Sequence, residues 1–288
     1  MPDNNPSFSI LIPSWNNLAY LKLCVRSIRQ HSISDHQIIV HVNEGSDGTT
    51  EWLKKENIEF TFSEKNIGIC KAMNQSFKLA KHEWIVYMND DMYVLPNWDS
   101  ALIEMIEKLK TDILMLSSTM IEPKITSNQC VIHADFGISI ENFREQELLV
   151  SFPSFKKKNW SGSQWPPNMV HRKMWEKIGG FSEEFSPGLY SDPDFAMKMW
   201  KTGCRIFIGV GNSLVYHFQS KSTGKVKKNN GRLQFAKKWG IMSSAFGKHY
   251  LHMGEEYSGR LQEPNLIQLI PGRIKAKLHK MFNTHNET

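Results

Sequence analysis

The chain has 288 residues, 40% hydrophobic and 22% charged, enough to bury a sizeable core in one or two domains and too apolar for wholesale disorder. Its formal net charge of +6 points to an anionic partner, whether nucleic acid, nucleotide diphosphate or membrane lipid. The surplus is local: residues 221–250 carry eight basic residues and no acid, residues 251–288 carry a net +1, and residues 1–220 sum to −3, which argues against a protein that coats nucleic acid.

In chain order, Phe8–Ile12 reads as a buried strand and Leu18–Gln30 as a helix with Leu18, Leu21, Val25 and Ile28 on one face. Gln37–Val42 is a second strand, Glu51–Glu56 a short helix, Ile58–Phe62 a third strand and Ile69–Leu79 a helix. Trp84–Met88 is a fourth strand, Trp98–Lys110 a helix and Ile113–Ser117 another strand. Such alternation predicts an α/β fold, a mostly parallel Rossmann-like sheet with helices on both faces. Residues 120–165 read as a polar, variable insert. Order returns with a helix at Arg172–Ile178 capped by Gly179-Gly180, a helix at Asp192–Thr202, and strands at Arg205–Ile208 and Ser213–His217. No apolar run reaches the roughly 18–20 residues that span a bilayer, and the N-terminus lacks the basic and apolar pattern of a signal peptide. Cys24, Cys70, Cys130 and Cys204 lie far apart without CxxC spacing, so a reduced cytoplasmic chain is expected.

Ligands of such sheets bind beyond the C-terminal strand ends. Asn89-Asp90-Asp91 closes an apolar strand, and carboxylates crowded there repel one another and ask for a cation; oxygen donors suit Mg²⁺ or Mn²⁺. A plain turn uses the same residues. Asn43–Thr49 follows the second strand and offers backbone and carboxylate groups to a base or ribose. Asn66–Asn74 opens a helix, where Gly68 permits close approach and the helix N-terminus favours phosphate.

Pro13-Ser14-Trp15-Asn16, Asn43–Thr49, Asn66-x-Gly68-x-x-x-Ala72-x-Asn74 and Asn89-Asp90-Asp91, in that order, resemble a family 2 glycosyltransferase of the GT-A fold. Gly179-Gly180-Phe181-Ser182-Glu183, Ser191-Asp192-Pro193-Asp194 and Val215-Tyr216-His217 resemble that family's later motifs, so the likeness covers about residues 8–225. It implies a glycosyltransferase domain over residues 1–225, with a nucleotide-binding half near 8–118 and an acceptor half near 119–225, followed by a basic helical extension over 226–288. It also implies inverting sugar transfer from a nucleotide sugar, UDP-sugar favoured, to a glycan or lipid-linked glycan. Asp91 matches the metal-binding aspartate, with His217 and Asn89 as further ligands of Mn²⁺ or Mg²⁺. Here Asn89 stands where the family has Asp, and Ser191 where it has Glu.

Asp192 is then the expected general base and Asp194 the second candidate. An N-cap role for Asp192, with Pro193 at the first helical position, is an equally physical account. Pro13, Trp15, Asn16, Glu44, Asn66, Gly68, Lys71, Asn74, Asn89 and Asp90 are expected on the donor, and Trp165 and Tyr190 on the acceptor. Lys221 and Lys225 belong to a glycine-containing basic segment that can close over the diphosphate or simply be solvated. Near the end, Ile274, Leu278, Met281 and Phe282 fall at i, i+4, i+7 and i+8 beside Arg273, Lys275 and Lys280. A segment over 264–282 can rest on the inner face of a membrane, dock on the domain or contact a second copy. Two other functions remain: a nucleotidyltransferase, which would need a glycine-rich basic loop where Pro13–Asn16 stand, and a non-catalytic nucleic-acid binder using residues 221–250.

Overall fold

The computed structural model describes residues 6–219 and 229–283. The first half runs β1 (Phe8–Trp15), α1 (Leu18–His31), β2 (Gln37–Asn43), α2 (Thr49–Lys55), β3 (Glu59–Ser63), α3 (Gly68–Phe77), β4 (Trp84–Tyr87), β5 (Met92–Val94), α4 (Trp98–Leu109) and β6 (Met115–Glu122). It continues through β7 (Ile132–His133), α5 (Glu145–Ser151), β8 (Trp160–Ser161), β9 (Asn168–His171), α6 (Arg172–Ile178), α7 (Ser191–Lys201) and β10 (Phe207–His217). Three helices follow: α8 (Gly231–Trp239), α9 (Ser243–His249) and α10 (Leu266–Asn283).

Period-two alternation explains why the strands sit where they do. Phe8, Ile10 and Ile12 of β1, Val40 and Val42 of β2, and Trp84 and Val86 of β4 enter one core, covered by α1 and α4. Leu11, Ile39, Ile85 and Tyr87 point to the opposite face and enter a second core with α3, α6 and α7. Both faces are apolar, as a sheet covered on both sides requires.

The sheet order is β3-β2-β1-β4-β9-β6-β10-β5, with β7 on β6 and β8 on β10. β1, β2, β3 and β4 pair in parallel, as do β6 and β10, whereas β9 lies antiparallel between β4 and β6. Two reversals across β9 leave β6 and β10 pointing the same way as β1, β2 and β4. All five therefore end on one edge.

Several elements differ from the sequence expectation. β5 folds back antiparallel on β10 and was not expected. β6 runs on to Glu122, five residues past Ser117, into the region read as an insert. The two strands expected at 205–208 and 213–217 are one strand, β10, with a register shift between Val210 and Leu214. Beyond residue 226, Phe235, Ile241, Phe246, Leu251, Leu261 and Leu269 join the same core as Trp200 and Phe207.

Candidate active site

A cavity of about 680 Å³ opens on the shared edge. Pro13–Trp15 at the end of β1, Asn43 at the end of β2, Asn89–Asp91 after β4, Glu122 at the end of β6 and His217 at the end of β10 all line it. Asp192, Trp165, Pro187 and Leu189 close the far side. The topology thus gathers strand ends separated by up to two hundred residues of chain, as expected for ligand sites of open α/β sheets.

The acidic centre lies between β4 and β5. Asp90 and Asp91 are buried. Burial, and then the charge of Asp91, push the Asp90 carboxyl up to about 7, although Asn17 Nδ2 donates to its Oδ1 at 3.0 Å. His217 stands between two carboxylates: Nε2 is 3.5 Å from Asp91 Oδ1, and Nδ1 is 3.1 Å from Glu122 Oε1. Burial pulls the imidazole down, but Asp91 and Glu122 outweigh it and raise its pKa to about 10.

These residues suit a divalent cation. Asp91 and His217 Nε2 converge on one point, and Glu122 holds the other ring nitrogen, the arrangement by which an outer carboxylate orients a ligating histidine. Among the described residues no group of three or more His, Cys, Asp and Glu side chains is arranged to hold a metal. Two protein ligands are what a Mg²⁺- or Mn²⁺-type site uses when substrate phosphates complete the shell. Asn89 lines the cavity, with its Oδ1 accepting from Tyr87 Oη at 3.1 Å.

Asp192 faces the cavity from the first turn of α7. The N-cap is Tyr190, with φ 69°, so Asp192 is the second helical residue and not the cap; Pro193 follows at the third position, not the first. Its Oδ1 is buried without a hydrogen-bond partner among the described residues. Burial alone pushes its carboxyl up to about 7. Asp194 is turned the other way. Its Oδ1 accepts from Trp239 Nε1 at 2.8 Å and lies 2.9 Å from Lys238 Nζ, and it does not line the cavity.

Other expected site residues divide between lining and support. Trp15 lines the cavity, and its Nε1 is buried without a partner among the described residues. Asn16 and Glu44 sit outside the lining and tie two strand ends together, Asn16 Nδ2 donating to Glu44 Oε2 at 3.1 Å. Asn66 and Gly68 line it, but the N–H groups here turn to the protein: Gly68 N donates to Asn66 Oδ1 at 2.9 Å, and Ile69 N to Pro187 O at 2.9 Å. Two N–H groups of the first turn of α3 are therefore not open to a phosphate. Gly68 itself has φ +78°, and a Cβ there would stand 2.6 Å from Pro187 Cα, so the close approach it permits is of backbone rather than ligand.

Asn74 is a structural tie, its Nδ2 donating to Phe181 O and its Oδ1 accepting from Phe181 N, both at 2.9 Å. Lys71 is exposed on α3 outside the lining. Trp165 lines the cavity, whereas Tyr190 packs toward α8 and the second core. Lys221 and Lys225 lie outside the described residues.

Glu122 is the residue the sequence reading missed. Its signal was an acid directly after a second apolar pair, Met120-Ile121, which resumes beyond Ser117-Ser118-Thr119, where the expected strand ends.

Residues 9–179 match the model of glycosyl transferase family 2. A chondroitin synthase from Escherichia coli is 25% identical over 242 residues, covering 73% of this chain and 34% of that protein. A putative colanic acid biosynthesis glycosyl transferase from Escherichia coli K12 is 27% identical over 117 residues, covering 38% of this chain and 40% of that protein. The chain spans between 30% and 45% of the length of the curated relatives it matches. Among solved structures, S. aureus TarS 1-349 in complex with UDP-GlcNAc superposes with a TM-score of 0.58 at 14% identity, covering 80% of this chain and 64% of that one. GalNAc-T7 with UDP, GalNAc and Mn2+ superposes with a TM-score of 0.57 at 16% identity, covering 80% and 45%. At these identities the likeness is one of fold, and it is the GT-A fold.

Proposed function

Since the chain belongs to glycosyl transferase family 2, we propose that it moves a sugar from a nucleotide-sugar donor, UDP-sugar favoured, to a hydroxyl of a glycan or lipid-linked glycan, with inversion and with a divalent cation. The observation that carries this reading is one cavity lined by both the Asp91–His217 pair and Asp192. The solved relatives with UDP-GlcNAc and with UDP and Mn2+ support the donor and metal classes.

Asp91 and His217 would hold the cation, with Glu122 fixing the imidazole. When bound, the cation supplies positive charge against the leaving diphosphate. Trp15 lines the cavity at the end of β1, where its ring would meet the base or ribose of the donor. The acceptor hydroxyl oxygen attacks the anomeric carbon as the bond to the diphosphate oxygen breaks. The electron pair of that bond leaves with the diphosphate, and the hydroxyl proton passes to the Asp192 carboxylate. Attack from the face opposite the diphosphate inverts the anomeric centre. A base with a pKa of about 7 is half ionised at neutral pH and strong enough to take a proton in a transition state.

A panel of nucleotide sugars with Mn²⁺ tests this, reading thermal stabilisation and release of free nucleotide. UDP-sugars should stabilise the protein in a Mn²⁺-dependent way, and Asp91→Ala should abolish the Mn²⁺ dependence. Stabilisation that ignores Mn²⁺ would remove the metal from the proposal, and no stabilisation by any nucleotide sugar would remove the donor.

A further inference from the structure

The last helix is built inside out. Against α8 and α9 it presents Leu269, Gly272 and Ala276, which are mostly small. A Cβ on Gly272 would stand 2.6 Å from Ala245 Cβ, so only glycine allows this approach and the rotation of α10 it sets. With that rotation, the large apolar residues point away from the protein: Leu266, Ile267, Ile270, Ile274 and Leu278 are 45–72% exposed. Leu266, Ile270, Ile274 and Leu278 recur at i, i+4, i+8 and i+12 with Ile267 beside the first, a stripe along one side of an 18-residue helix. Single exposed apolar side chains are ordinary, but a continuous row of them marks a contact surface.

The charges say what meets it. α10 contains no acidic residue. At about 100° per residue, Arg273 and Lys277 run along one edge of the stripe, and Lys275 lies beyond the other. All three are exposed. A second copy meeting this face about a two-fold axis would set like charges against one another. An anionic lipid surface answers both features, taking the apolar row into its acyl boundary and the cations among its headgroups. Among the described residues no helix is long and apolar enough to cross a membrane.

We propose that α10 is a docking surface for a membrane rich in anionic lipid, lying in its interface with Ile267, Ile270, Ile274 and Leu278 inserted. The surface is independent of the chemistry at the cavity. A chain of contacts nevertheless joins the two: α10 packs on α8, and Gly231 of α8 abuts Leu189, which lines the cavity.

Vesicle flotation of the full chain tests this, comparing pure phosphatidylcholine with vesicles containing about 30% phosphatidylglycerol. The anionic vesicles should bind roughly tenfold more protein, and high salt should remove most of the excess. Ile270→Ser/Ile274→Ser/Leu278→Ser should lower binding about tenfold or more while the protein still unfolds in one cooperative transition, because all three side chains lie at the surface. Arg273→Gln/Lys277→Gln should bring binding on anionic vesicles down toward the neutral level. Absence of vesicle binding by the parent, or equal binding by parent and triple-serine variant, overturns the proposal. So does a parent that sediments as a dimer and a triple-serine variant that sediments as a monomer, with neither binding vesicles; that result assigns the face to a second copy.

Discussion

Asp192 and Asp194 stand two residues apart on the first turn of α7, yet they belong to different regions of the molecule. Two residues on a helix are about 200° apart, so one carboxylate looks into the cavity and the other into the protein. On the cavity side Asp192 has an oxygen without a partner and a pKa pushed up to about 7 by burial. On the protein side Asp194 is fully buried against Lys238 and Trp239 of α8, and Lys238 also reaches Glu184 at 2.8 Å. Each acid leaves one buried oxygen without a hydrogen-bond partner among the described residues, Asp192 Oδ1 and Asp194 Oδ2, so the contrast is one of place: Asp192 lines the cavity, whereas Asp194 does not and its Oδ1 holds a helix. It also shows that part of the C-terminal basic surplus is structural: Lys238 is held by two carboxylates of the main body.

The comparison predicts unequal outcomes. The largest belongs to Asp192→Asn, which should retain donor-induced stabilisation while turnover falls about 10²–10⁴-fold. Full turnover in that variant would falsify the base assignment. Next, Lys238→Met leaves Asp194 buried with Trp239 as its remaining neutral donor and should cost about 3 kcal/mol of stability in denaturant unfolding. A variant with unchanged stability but no turnover would move Asp194 and Lys238 into the chemistry and erase the contrast.

The pH profile sharpens the same point. A carboxyl raised to about 7 is protonated below that pH, so kcat should fall about tenfold per pH unit on the acid side of about 7. A limb whose midpoint sits near 4 instead would mean that Asp192 is solvated during turnover. The smallest effect is expected at the cavity wall, where Trp165→Ala should raise the acceptor KM about fivefold and leave kcat nearly unchanged, as the loss of one aromatic contact worth about 1 kcal/mol implies. An equal loss in kcat would give Trp165 a part in the transition state.

Much of the frame was legible in the chain itself. β1, β2 and β4 announce themselves as mainly apolar runs because both of their faces are buried, and α1 and α4 show helical periodicity because only one of theirs is. The motif segments after those strands did reach one cavity at Pro13–Trp15, Asn66–Gly68 and Asn89–Asp91. Motif membership did not, however, separate lining from support. Asn74 and Glu44 lie in the same segments as lining residues, but their side chains turn to other protein groups, and a linear pattern carries no rotamer. β5 and β9, three and four residues long, have too few positions to show a period; they are strands because β10, β4 and β6 supply their partners.

The sequence by itself determined the alternating architecture, the edge on which the cavity opens and the carboxylates offered there, because these follow from local periodicity and from polar residues placed at strand ends. Only the tertiary structure decided which acids line the cavity and which are turned into the protein. That choice depends on what His217, held by Glu122, brings to Asp91 and what Lys238 and Trp239 bring to Asp194 from far along the chain. It also decided which way the apolar stripe of α10 faces, since Gly272 and Ala276 fit against α9 and α8 only with the larger residues turned outward.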